Sequence, residues 1–341
     1  MNIPNFSIII CCYNASKRLP TTLEYLSKLD ISGLQCELIV VDNNSSDNSS
    51  EVVSNLWHNK LNNPFELKLL KQPTPGKTNA WNLGVENANG DYLVMCDDDN
   101  WLPSDYLKIA IPILQNSEKA GMLGGRSIGV FEKEPPIWFK NVSSYWAVGK
   151  QYENSGEITN EHNKLWGAGT IFSKAALNHL SSLNYTQKFS GIKSEGMAED
   201  CEIFILLKLI GYKMYYSNDL VIQHFMPKER ISWTSFMSFM QNFGKSSWKF
   251  DAYEKNYKSE FSIKNYIKEG ALYALYVTAI RIRKTNKKAV FSLSPPQEGA
   301  AGNLVDNYFL KYRFIGLLKA FFRYRKEVKV FQNSKIFQYK D

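Results

Sequence analysis

The sequence lacks the features that would place it in a membrane-spanning or secreted class. No apolar run approaches the roughly 20 residues that a membrane-spanning helix needs, since the longest, around ALYALYVTAI, has about half that length. The start, MNIPNFSIIICCYN, has no basic leader followed by an apolar stretch, so we expect no secretory signal peptide. The five cysteines are odd in number and form no CxxC pair, which favours free thiols in a reducing compartment. We therefore expect a cytoplasmic protein without a disulfide framework or a structural zinc site.

Glycine-rich phosphate loops are absent as well. CCYNAS stands where a GxGxxG would follow the first apolar run, which disfavours a dinucleotide-binding Rossmann domain. PTPGKTN is too short for the GxxxxGK[ST] pattern and lacks its first glycine, which disfavours a P-loop. A phosphate-binding site in this chain would have to be built differently.

Charge is unevenly distributed along the 341 residues. From residue 244 to the end there are 20 Lys or Arg against 8 Asp or Glu, and the first 243 residues have 21 against 25. The tail segment YFLKYRFIGLLKAFFRYRKEVKVF interleaves aromatic and basic residues, a composition typical of a helix on an anionic membrane surface. A packed helix pair with a solvated basic face is the alternative, and no motif supports nucleic acid as a partner. We predict a globular domain over 1–230 and a helical, basic C-terminal extension over 231–341.

Strand and helix patterns alternate in the first 100 residues. FSIIICCYN and CELIVVD are apolar runs rich in β-branched residues, which are typical of buried strands, and FELKLLKQ and DYLVMC are expected to form a third and a fourth strand. KRLPTTLEYLSKL places leucines at helical spacing, and helices are also expected after VVDNNSSD and after PTPG. This alternation with short connections predicts an α/β fold with a mostly parallel central sheet flanked by helices.

Polar residues follow each of the four predicted strands. Tyr13 and Asn14 come after the first, Asp42 and Asn43 after the second, Lys77 after the third and the triplet Asp97–Asp99 after the fourth. Because ligands bind beyond the carboxyl ends of parallel strands, we expect these side chains to line one site. The triplet is the most telling feature, because crowded carboxylates resist ionisation unless a cation neutralises them. An exposed acidic turn is the alternative.

Several segments, in a fixed order, resemble the motifs of family 2 glycosyltransferases. They are CCYNA, VVDNNSSD, GKTNAWNLGV, CDDDN, WGAGTIFSKAAL, EGMAEDCEIFILLKLIGYKMYYS and VIQHF. The resemblance covers roughly residues 5–230 and implies a Rossmann-like, glycosyltransferase A-type fold that binds a nucleotide sugar and carries a DxD metal motif. The tail has no counterpart in it, and QNFGK stands where processive synthases of the superfamily have QxxRW.

The resemblance implies a divalent cation, Mn²⁺ or Mg²⁺, that neutralises the diphosphate leaving group. Asp99 is implied as a metal ligand, Asp97 as a ligand of the metal or the ribose, and His224 in VIQHF as a further metal ligand. In an extended segment alternate side chains point the same way, so Asp97 and Asp99 would face the ligand together while Asp98 points elsewhere. A hydrogen-bonded structural histidine is the alternative for His224.

The donor side of the site is implied by the same resemblance. Asp42 would accept the uracil N–H, and Lys77 would attract the diphosphate at a helix start. A helix-capping aspartate and an exposed lysine are the respective alternatives. Asn82, on the same short helix as Lys77, is carried over with them. The other residues implied in nucleotide-sugar binding are Tyr13, Asn14, Asp97 and Asp98.

On the acceptor side, the resemblance implies Asp200 as the general base and Glu199 as a group that orients the acceptor or its loop. Ordinary carboxylates in the first turn of a helix are the alternative for both. Trp166 and Gly167, in WGAG, are implied near the acceptor, where Trp166 would stack on a sugar face or simply pack in the core.

The sequence thus predicts an inverting, metal-dependent glycosyltransferase. It would move a sugar from a nucleoside diphosphate donor, UDP-linked by analogy, to a hydroxyl of a glycan or lipid-linked glycan precursor. We expect it in the cytoplasm, peripherally on the inner face of the cell membrane. The alternatives are a nucleotidyltransferase that makes a nucleotide sugar, which would need a glycine-rich basic loop in place of CCYNAS, and a non-catalytic glycan- or lipid-binding scaffold.

Overall fold

The structure is a computed structural model, and it describes residues 5–61, 63–159, 164–183, 199–240 and 242–243. The chain divides into two compact units. The first takes its described residues from Met1–Val130, Ser144–Ser182 and Leu206–Met226. The second takes them from Phe131–Ser143, Leu183–Ile205 and Pro227–Asp341. The predicted basic tail helix lies outside the described residues, and the predicted boundary at residue 230 stays a prediction.

Strands and helices alternate from the first strand to the fourth, and the later elements do not keep this alternation. In chain order they are β1 (Asn5–Cys12), α1 (Leu19–Leu26), β2 (Gln35–Asp42), α2 (Ser49–Asn59), β3 (Glu66–Lys71), α3 (Lys77–Asn87), β4 (Tyr92–Asp97), β5 (Asn100–Trp101), α4 (Tyr106–Asn116), β6 (Ala120–Phe131), β7 (Gly156–Glu157), β8 (Ile171–Ser173), α5 (Lys174–Ser182), α6 (Glu199–Leu209) and β9 (Lys213–Met226). Two short 3₁₀ helices, Ile137–Asn141 and Ser143–Trp146, lie between β6 and β7.

A single nine-stranded sheet forms the centre of the first unit, in the order β3-β2-β1-β4-β8-β6-β9-β5, with β7 paired to β9. The four strands that the sequence pattern predicts to be parallel, β1 to β4, do pair in parallel. The later strands extend this group with antiparallel pairs, such as β8 on β4 and β5 on β9. The predicted α/β fold class is confirmed.

Strand β1 lies between β2 and β4 in the parallel part of the sheet, and it is buried on both faces. Ile8, Ile9 and Ile10 of β1 are fully buried, as continuous apolar runs of a doubly covered strand should be. Helix α1 buries Leu19, Leu23 and Leu26, and its apolar stripe packs in the same core cluster. The leucine spacing in the sequence therefore predicts the buried face of α1 correctly.

The second unit contains an aromatic cluster among its described residues. Trp138 packs edge-to-face on Trp233, with ring centroids 5.1 Å apart, and also contacts Phe139 and Phe236. Within the described part of the chain, no helix has the length and apolar character needed to cross a bilayer. None of the five cysteines, all of which are among the described residues, forms a disulfide.

Candidate functional site

A cleft of about 400 Å³ opens at the carboxyl ends of the parallel strands. Because β1 to β4 run in the same direction, the loops that follow them meet at this edge of the sheet. The lining residues come from the end of β1, from these loops and from the starts of α1 and α3: Cys11, Cys12, Tyr13, Arg18, Asn43, Pro75, Gly76, Lys77 and Asp98. Three of the predicted site residues therefore line the same cleft: Tyr13, Lys77 and Asp98.

The first carboxylate of the acidic triplet is paired with a cation from the neighbouring loop. Strand β4 ends at Asp97, and its Oδ1 lies 2.6 Å from Nζ of Lys77. Lys77 is the first residue of α3, directly after Gly76, whose φ of +129° is strained for any side chain. The Gly-Lys pair in the sequence thus combines a special backbone turn with a cation aimed at the triplet.

The middle carboxylate is held by an arginine that the sequence gives no local reason to expect. Nε and Nη2 of Arg18 donate to Oδ1 and Oδ2 of Asp98, both at 2.8 Å. The hydroxyl of Thr22 donates to the Asp98 carbonyl at 2.7 Å. Burial raises the pKa of Asp98, and the two hydrogen bonds from Arg18 oppose that shift. Contact with Asp98 raises the pKa of Arg18 in turn, so the guanidinium stays charged.

The third carboxylate faces an imidazole. Oδ1 of Asp99 lies 3.4 Å from Nε2 of His224 and accepts a hydrogen bond from Asn100 Nδ2 at 3.0 Å. Asn100 and His224 are register partners in the β5–β9 pair, which brings residues 124 positions apart side by side. The other ring nitrogen of His224, Nδ1, lies 3.3 Å from the Ala147 carbonyl oxygen. His224 near the end of β9 is therefore next to the triplet, as its position in the motif order implies.

The Asp99–His224 pair fits a divalent cation. Nε2 of His224 is a buried nitrogen without a hydrogen-bond partner, and a carboxylate oxygen lies beside it, which is the donor set that Mn²⁺ accepts. No group of three or more His, Cys, Asp or Glu side chains is arranged as a metal site within the residues described. A cation here would therefore have two protein ligands and take its others from a bound molecule or water.

The geometry of the triplet differs from the alternation expected of an extended segment. Residues 98 and 99 form a turn after β4, so strand alternation ends at Asp97. As a result Asp98 lines the cleft, whereas Asp99 turns towards Asn100 and His224. The expectation that Asp98 points away from the other two acids as in a strand is wrong, because the chain must turn there to enter β5.

Two neighbouring residues after β2 have separate roles. Asp42 accepts the Ser45 N–H at 2.9 Å with Oδ1 and the Ser50 hydroxyl at 2.5 Å with Oδ2, so both oxygens hold the turn into α2. Burial alone would raise the pKa of Asp42, but these hydrogen bonds lower it below the ordinary value. Within the described residues, Asp42 is not part of the cleft lining, whereas Asn43 is. Asp42 thus stabilises the turn before α2, whose N-cap residue is Asn48, and the binding of Asp42 to a base stays a prediction.

Asn43 fastens the loop that carries Lys77. Its amide nitrogen donates to the carbonyls of Gln72 and Thr74 at 3.2 and 2.8 Å, and its amide oxygen accepts the Gly76 N–H at 2.7 Å. One buried amide thereby fixes the β3–α3 connection directly before the cation. Sequence reasoning placed Asn43 in the strand-end turn but did not single it out.

The loop after β1 presents its two predicted residues differently. The Tyr13 side chain is 57% exposed beside the cleft, which leaves its ring available to a ligand. Asn14 has a φ of +46° and accepts the Ser46 N–H at 2.8 Å, while its own N–H donates to Ser45 Oγ at 3.0 Å. Asn14 therefore joins the β1–α1 loop to the β2–α2 loop and shapes the edge of the site.

Three further candidates lie apart from the cleft lining. Asn82 is exposed on α3. The N–H of Trp166 donates to Gln151 Oε1 at 3.1 Å, and the carbonyl of Gly167 accepts the Thr170 N–H at 3.1 Å in the turn before β8. None of the three belongs to the cleft lining given by the described residues.

The predicted catalytic pair belongs to the second unit. Glu199 and Asp200 are the first two residues of α6, as the sequence predicts. Oδ1 of Asp200 accepts the Cys201 N–H at 2.8 Å, which is the behaviour of a carboxylate in a first helical turn. Its role as a base stays a prediction.

Comparison with known proteins gives one family match. The model of the family described as Glycosyl transferase family 2 matches residues 7–181, which include the loops of the cleft and the acidic triplet. The poly-beta-1,6-N-acetyl-D-glucosamine synthase of Staphylococcus epidermidis is 23% identical over 238 residues, which cover 68% of this chain and 54% of that protein. The chain thus spans about half the length of the curated relatives that it matches.

Solved structures show the same fold at low identity. TarS residues 1–349 from S. aureus, in complex with UDP-GlcNAc, superposes with a TM-score of 0.50 at 17% identity, covering 94% of this chain and 92% of that one. The mannosyltransferase PcManGT from Pyrobaculum calidifontis, in complex with GDP-Man and Mn²⁺, superposes with a TM-score of 0.57 at 17% identity, covering 94% and 87%.

Proposed function

Because the chain belongs to glycosyl transferase family 2, we propose that it transfers a sugar from a nucleoside diphosphate donor to a hydroxyl acceptor with inversion at the anomeric carbon. The observation that carries the proposal is the cleft at the carboxyl ends of the parallel strands, which Lys77 and Asp98 line, with the buried Asp99–His224 pair directly after Asp98 in the acidic turn. The cleft offers the ammonium group of Lys77 and the start of α3 to an anionic ligand.

The donor would bind with its diphosphate at the start of α3. The first backbone N–H groups of a helix have no intrahelical acceptor and attract anions, and Lys77 adds a full charge at that point. The complexes of the structural neighbours with UDP-GlcNAc and GDP-Man support a nucleoside diphosphate sugar as the donor class. We assign the nucleoside to the loops that carry Tyr13, Asn14 and Asp42.

Asp99 and His224 would hold Mn²⁺ or Mg²⁺. When bound, such an ion neutralises the negative charge that gathers on a diphosphate leaving group. The residues themselves are prepared for this task, because His224 is buried with Nδ1 turned to the Ala147 carbonyl and Nε2 turned to Asp99. The Mn²⁺ in the mannosyltransferase complex supports a divalent cation in this fold.

Asp200 would act as the general base that takes the proton of the attacking hydroxyl. Inversion needs a base on the side of the sugar opposite the leaving group, and a single ionised carboxylate is sufficient. Glu199 would orient the acceptor or the loop before α6, and Trp166 and Gly167 would lie on the acceptor side. These roles are supported by the motif resemblance and by the position of Asp200 in the first turn of α6.

A glycan or a lipid-linked glycan precursor would be the acceptor. The poly-N-acetylglucosamine synthase among the relatives supports a polysaccharide product, although the chain covers 54% of that protein. The catalytic domain would extend over residues 1–230, and the basic extension over 231–341 would hold the enzyme on an anionic membrane surface at its cytoplasmic side.

A calorimetric titration with UDP and with GDP, in the presence and absence of Mn²⁺, tests donor binding. We expect one of the two nucleotides to bind at least tenfold more tightly with Mn²⁺, and Asp99→Asn to remove that enhancement. A scaffold without catalytic function would show no metal-dependent binding. A nucleotidyltransferase would instead release pyrophosphate from a nucleoside triphosphate and a sugar phosphate.

A screen of nucleotide sugars for donor hydrolysis tests the chemistry. We expect metal-dependent hydrolysis of one donor by the wild type. Asp200→Asn should reduce transfer to an acceptor by about 10²- to 10⁴-fold, the usual contribution of a general base, while donor affinity stays unchanged. Equal losses of donor binding and turnover would contradict the role of Asp200 as a base.

A further inference from the structure

Arg18 is the one cleft residue, among those described, whose guanidinium is held by both oxygens of a buried carboxylate. Nε and Nη2 of Arg18 form two 2.8 Å hydrogen bonds with Asp98, the side-on fork that gives Arg–carboxylate pairs their fixed geometry. Nη2 also approaches the Tyr13 carbonyl at 3.4 Å. The orientation of the guanidinium plane is therefore set before any ligand arrives.

The fork leaves part of the guanidinium unused. Within the described residues, both hydrogens of Nη1 have no hydrogen-bond acceptor, because the contacts to Asp98 and Tyr13 involve only Nε and Nη2. The Arg18 side chain keeps 31% of its surface exposed, against 12% for Asp98. An ion pair that served packing alone would have no reason to keep its cation at the surface of a cleft.

A second cation stands in the same cleft. Lys77 also contributes to the lining, and its ammonium rests on Asp97, the residue directly before Asp98. Two adjacent carboxylates thus each hold one cation, and both cations border the same space of about 400 Å³. Two positive groups held by adjacent carboxylates favour a ligand that carries more than one negative charge.

We propose that Arg18 binds the phosphate groups of the donor directly through Nη1, as a partner of Lys77, and that Asp98 is the residue that positions it. The proposal rests on the proposed function, since it names a contact within the same donor site. Asp98 would then take part in donor binding through Arg18 rather than by touching the nucleotide.

The test uses ligands that differ only in phosphate content. Uridine, UMP and UDP, with the guanosine series in parallel, are titrated calorimetrically into the full chain and into Arg18→Ala. We expect Arg18→Ala to weaken diphosphate binding by about 10- to 100-fold, the range for a lost hydrogen bond to a charged group, and to leave nucleoside binding unchanged. Arg18→Lys should restore part of the affinity, because it keeps the charge and loses the fork.

The controls separate binding from folding. Arg18→Ala leaves buried Asp98 without its cation, so the double variant R18A/D98N is measured too, with thermal melts of each protein. It should fold and show the same selective loss of diphosphate affinity. Lys17→Ala removes an exposed neighbouring charge and should change none of the affinities by more than about twofold.

The two proposals fail in different ways. If the wild type binds a nucleoside diphosphate and Arg18→Ala weakens nucleoside, monophosphate and diphosphate equally, Arg18 only shapes the cleft and the present proposal is wrong. Unchanged diphosphate affinity in R18A/D98N would also show that the present proposal is wrong. If the wild type binds no nucleoside diphosphate at all, the proposed function itself is wrong and the role of Arg18 falls with it.

Discussion

Each of the three successive carboxylates at the end of β4 has a different neighbour. Lys77 forms an ion pair with Asp97, and Arg18 forms one with Asp98. Asn100 donates a hydrogen bond to Asp99, which also lies beside His224. Burial, together with the charges of Asp99 and Asp97, raises the pKa of Asp98, and the hydrogen bonds from Arg18 oppose that rise. The contacts come from separate elements, so one residue can be changed without removing the groups that hold the other two.

The His224 imidazole gives a prediction that does not depend on any ligand. A carbonyl oxygen only accepts hydrogen bonds, so the 3.3 Å contact with Ala147 requires the proton on Nδ1. We expect the neutral ring to adopt the Nδ1–H tautomer, with the lone pair of Nε2 towards Asp99. The ¹⁵N shifts of the imidazole nitrogens in a long-range ¹H–¹⁵N spectrum report this directly, and the four histidines of the chain make assignment practical.

Exposed His58 serves as the reference in the same spectrum, because a solvated imidazole is free to exchange between tautomers. His224→Gln identifies the signal. A ring of His224 protonated on Nε2 alone would contradict the geometry, and with it the fit of the Asp99–His224 pair to a cation.

The sequence shows some of these residues but not their partners. Spacing alone puts Asp97–Asp99 at a strand end and His224 near the end of a later strand, and both positions are confirmed. The contact between Arg18 and Asp98 joins residues 80 positions apart, and no local pattern encodes it. Asp42 and Asn43 look equivalent in a turn, yet only the folded loop decides which one faces the cleft.

At the level of elements, helix α3 packs closely on the sheet at Gly84. A Cβ built on Gly84 would lie 2.5 Å from Cγ2 of Ile9 in β1, a separation at which one of the two must move. Because Ile9 is fully buried and β-branched, it has little freedom to give way. The close approach of α3 to β1 therefore depends on the missing side chain.

Gly84→Ala should destabilise the protein despite the higher helix propensity of alanine. We expect a loss of about 1–3 kcal/mol from overpacking, less the roughly 1 kcal/mol that alanine gains over glycine within a helix. Urea unfolding of the two proteins measures the difference. Glu86→Ala, on the exposed side of the same helix, should stay within about 0.5 kcal/mol of the wild type. A stabilised Gly84→Ala would show that α3 does not pack on β1 at this distance.

The same close packing explains which elements the sequence could predict. Strands β1, β2 and β4 are mainly apolar runs, β3 mixes apolar and charged residues, and all four are predicted from pattern alone. Strand β6, AGMLGGRSIGVF, is rich in glycine, which disfavours strands as a rule, and it was not predicted. A Cβ on Gly125 would lie 1.8 Å from the Leu220 carbonyl oxygen, so only glycine lets the backbone at Leu220 approach this closely. This steric requirement exists only in the folded sheet.

At the scale of the whole molecule, the end of the parallel sheet opposite the cleft is closed by a buried carboxylate. Glu37 in β2 is 7% exposed and accepts hydrogen bonds from the Ser7 hydroxyl and the Asn89 N–H, both at 2.5 Å. Lys68 Nζ lies 2.7 Å from its other oxygen. This one side chain joins β1, β2, β3 and the loop before β4, so its charge state should affect the stability of the sheet as a unit.

Burial by itself would raise the pKa of Glu37, but the hydrogen bonds from Lys68, Ser7 and Asn89 lower it below the ordinary value of 4.5. A folded-state pKa below the unfolded value means that the ionised form stabilises the native protein. This contribution is complete above about pH 4.5, the unfolded value, and is lost as the pH falls through the folded one. Stability should therefore decline in acid partly through Glu37.

Glu37→Gln isolates that contribution, because glutamine resembles the protonated acid in shape and cannot ionise. We expect the variant to lose about 1–3 kcal/mol of unfolding free energy at neutral pH, the cost of a lost charged hydrogen-bond network. The gap between variant and wild type should narrow as the pH falls below about 4.5, where the wild type becomes protonated too. Urea unfolding across this range measures the gap, with Glu24→Gln, from an exposed pair with Lys28, as the control that should change stability by less than about 0.5 kcal/mol. A gap that stays constant with pH would mean that packing, not the charge of Glu37, joins these strands.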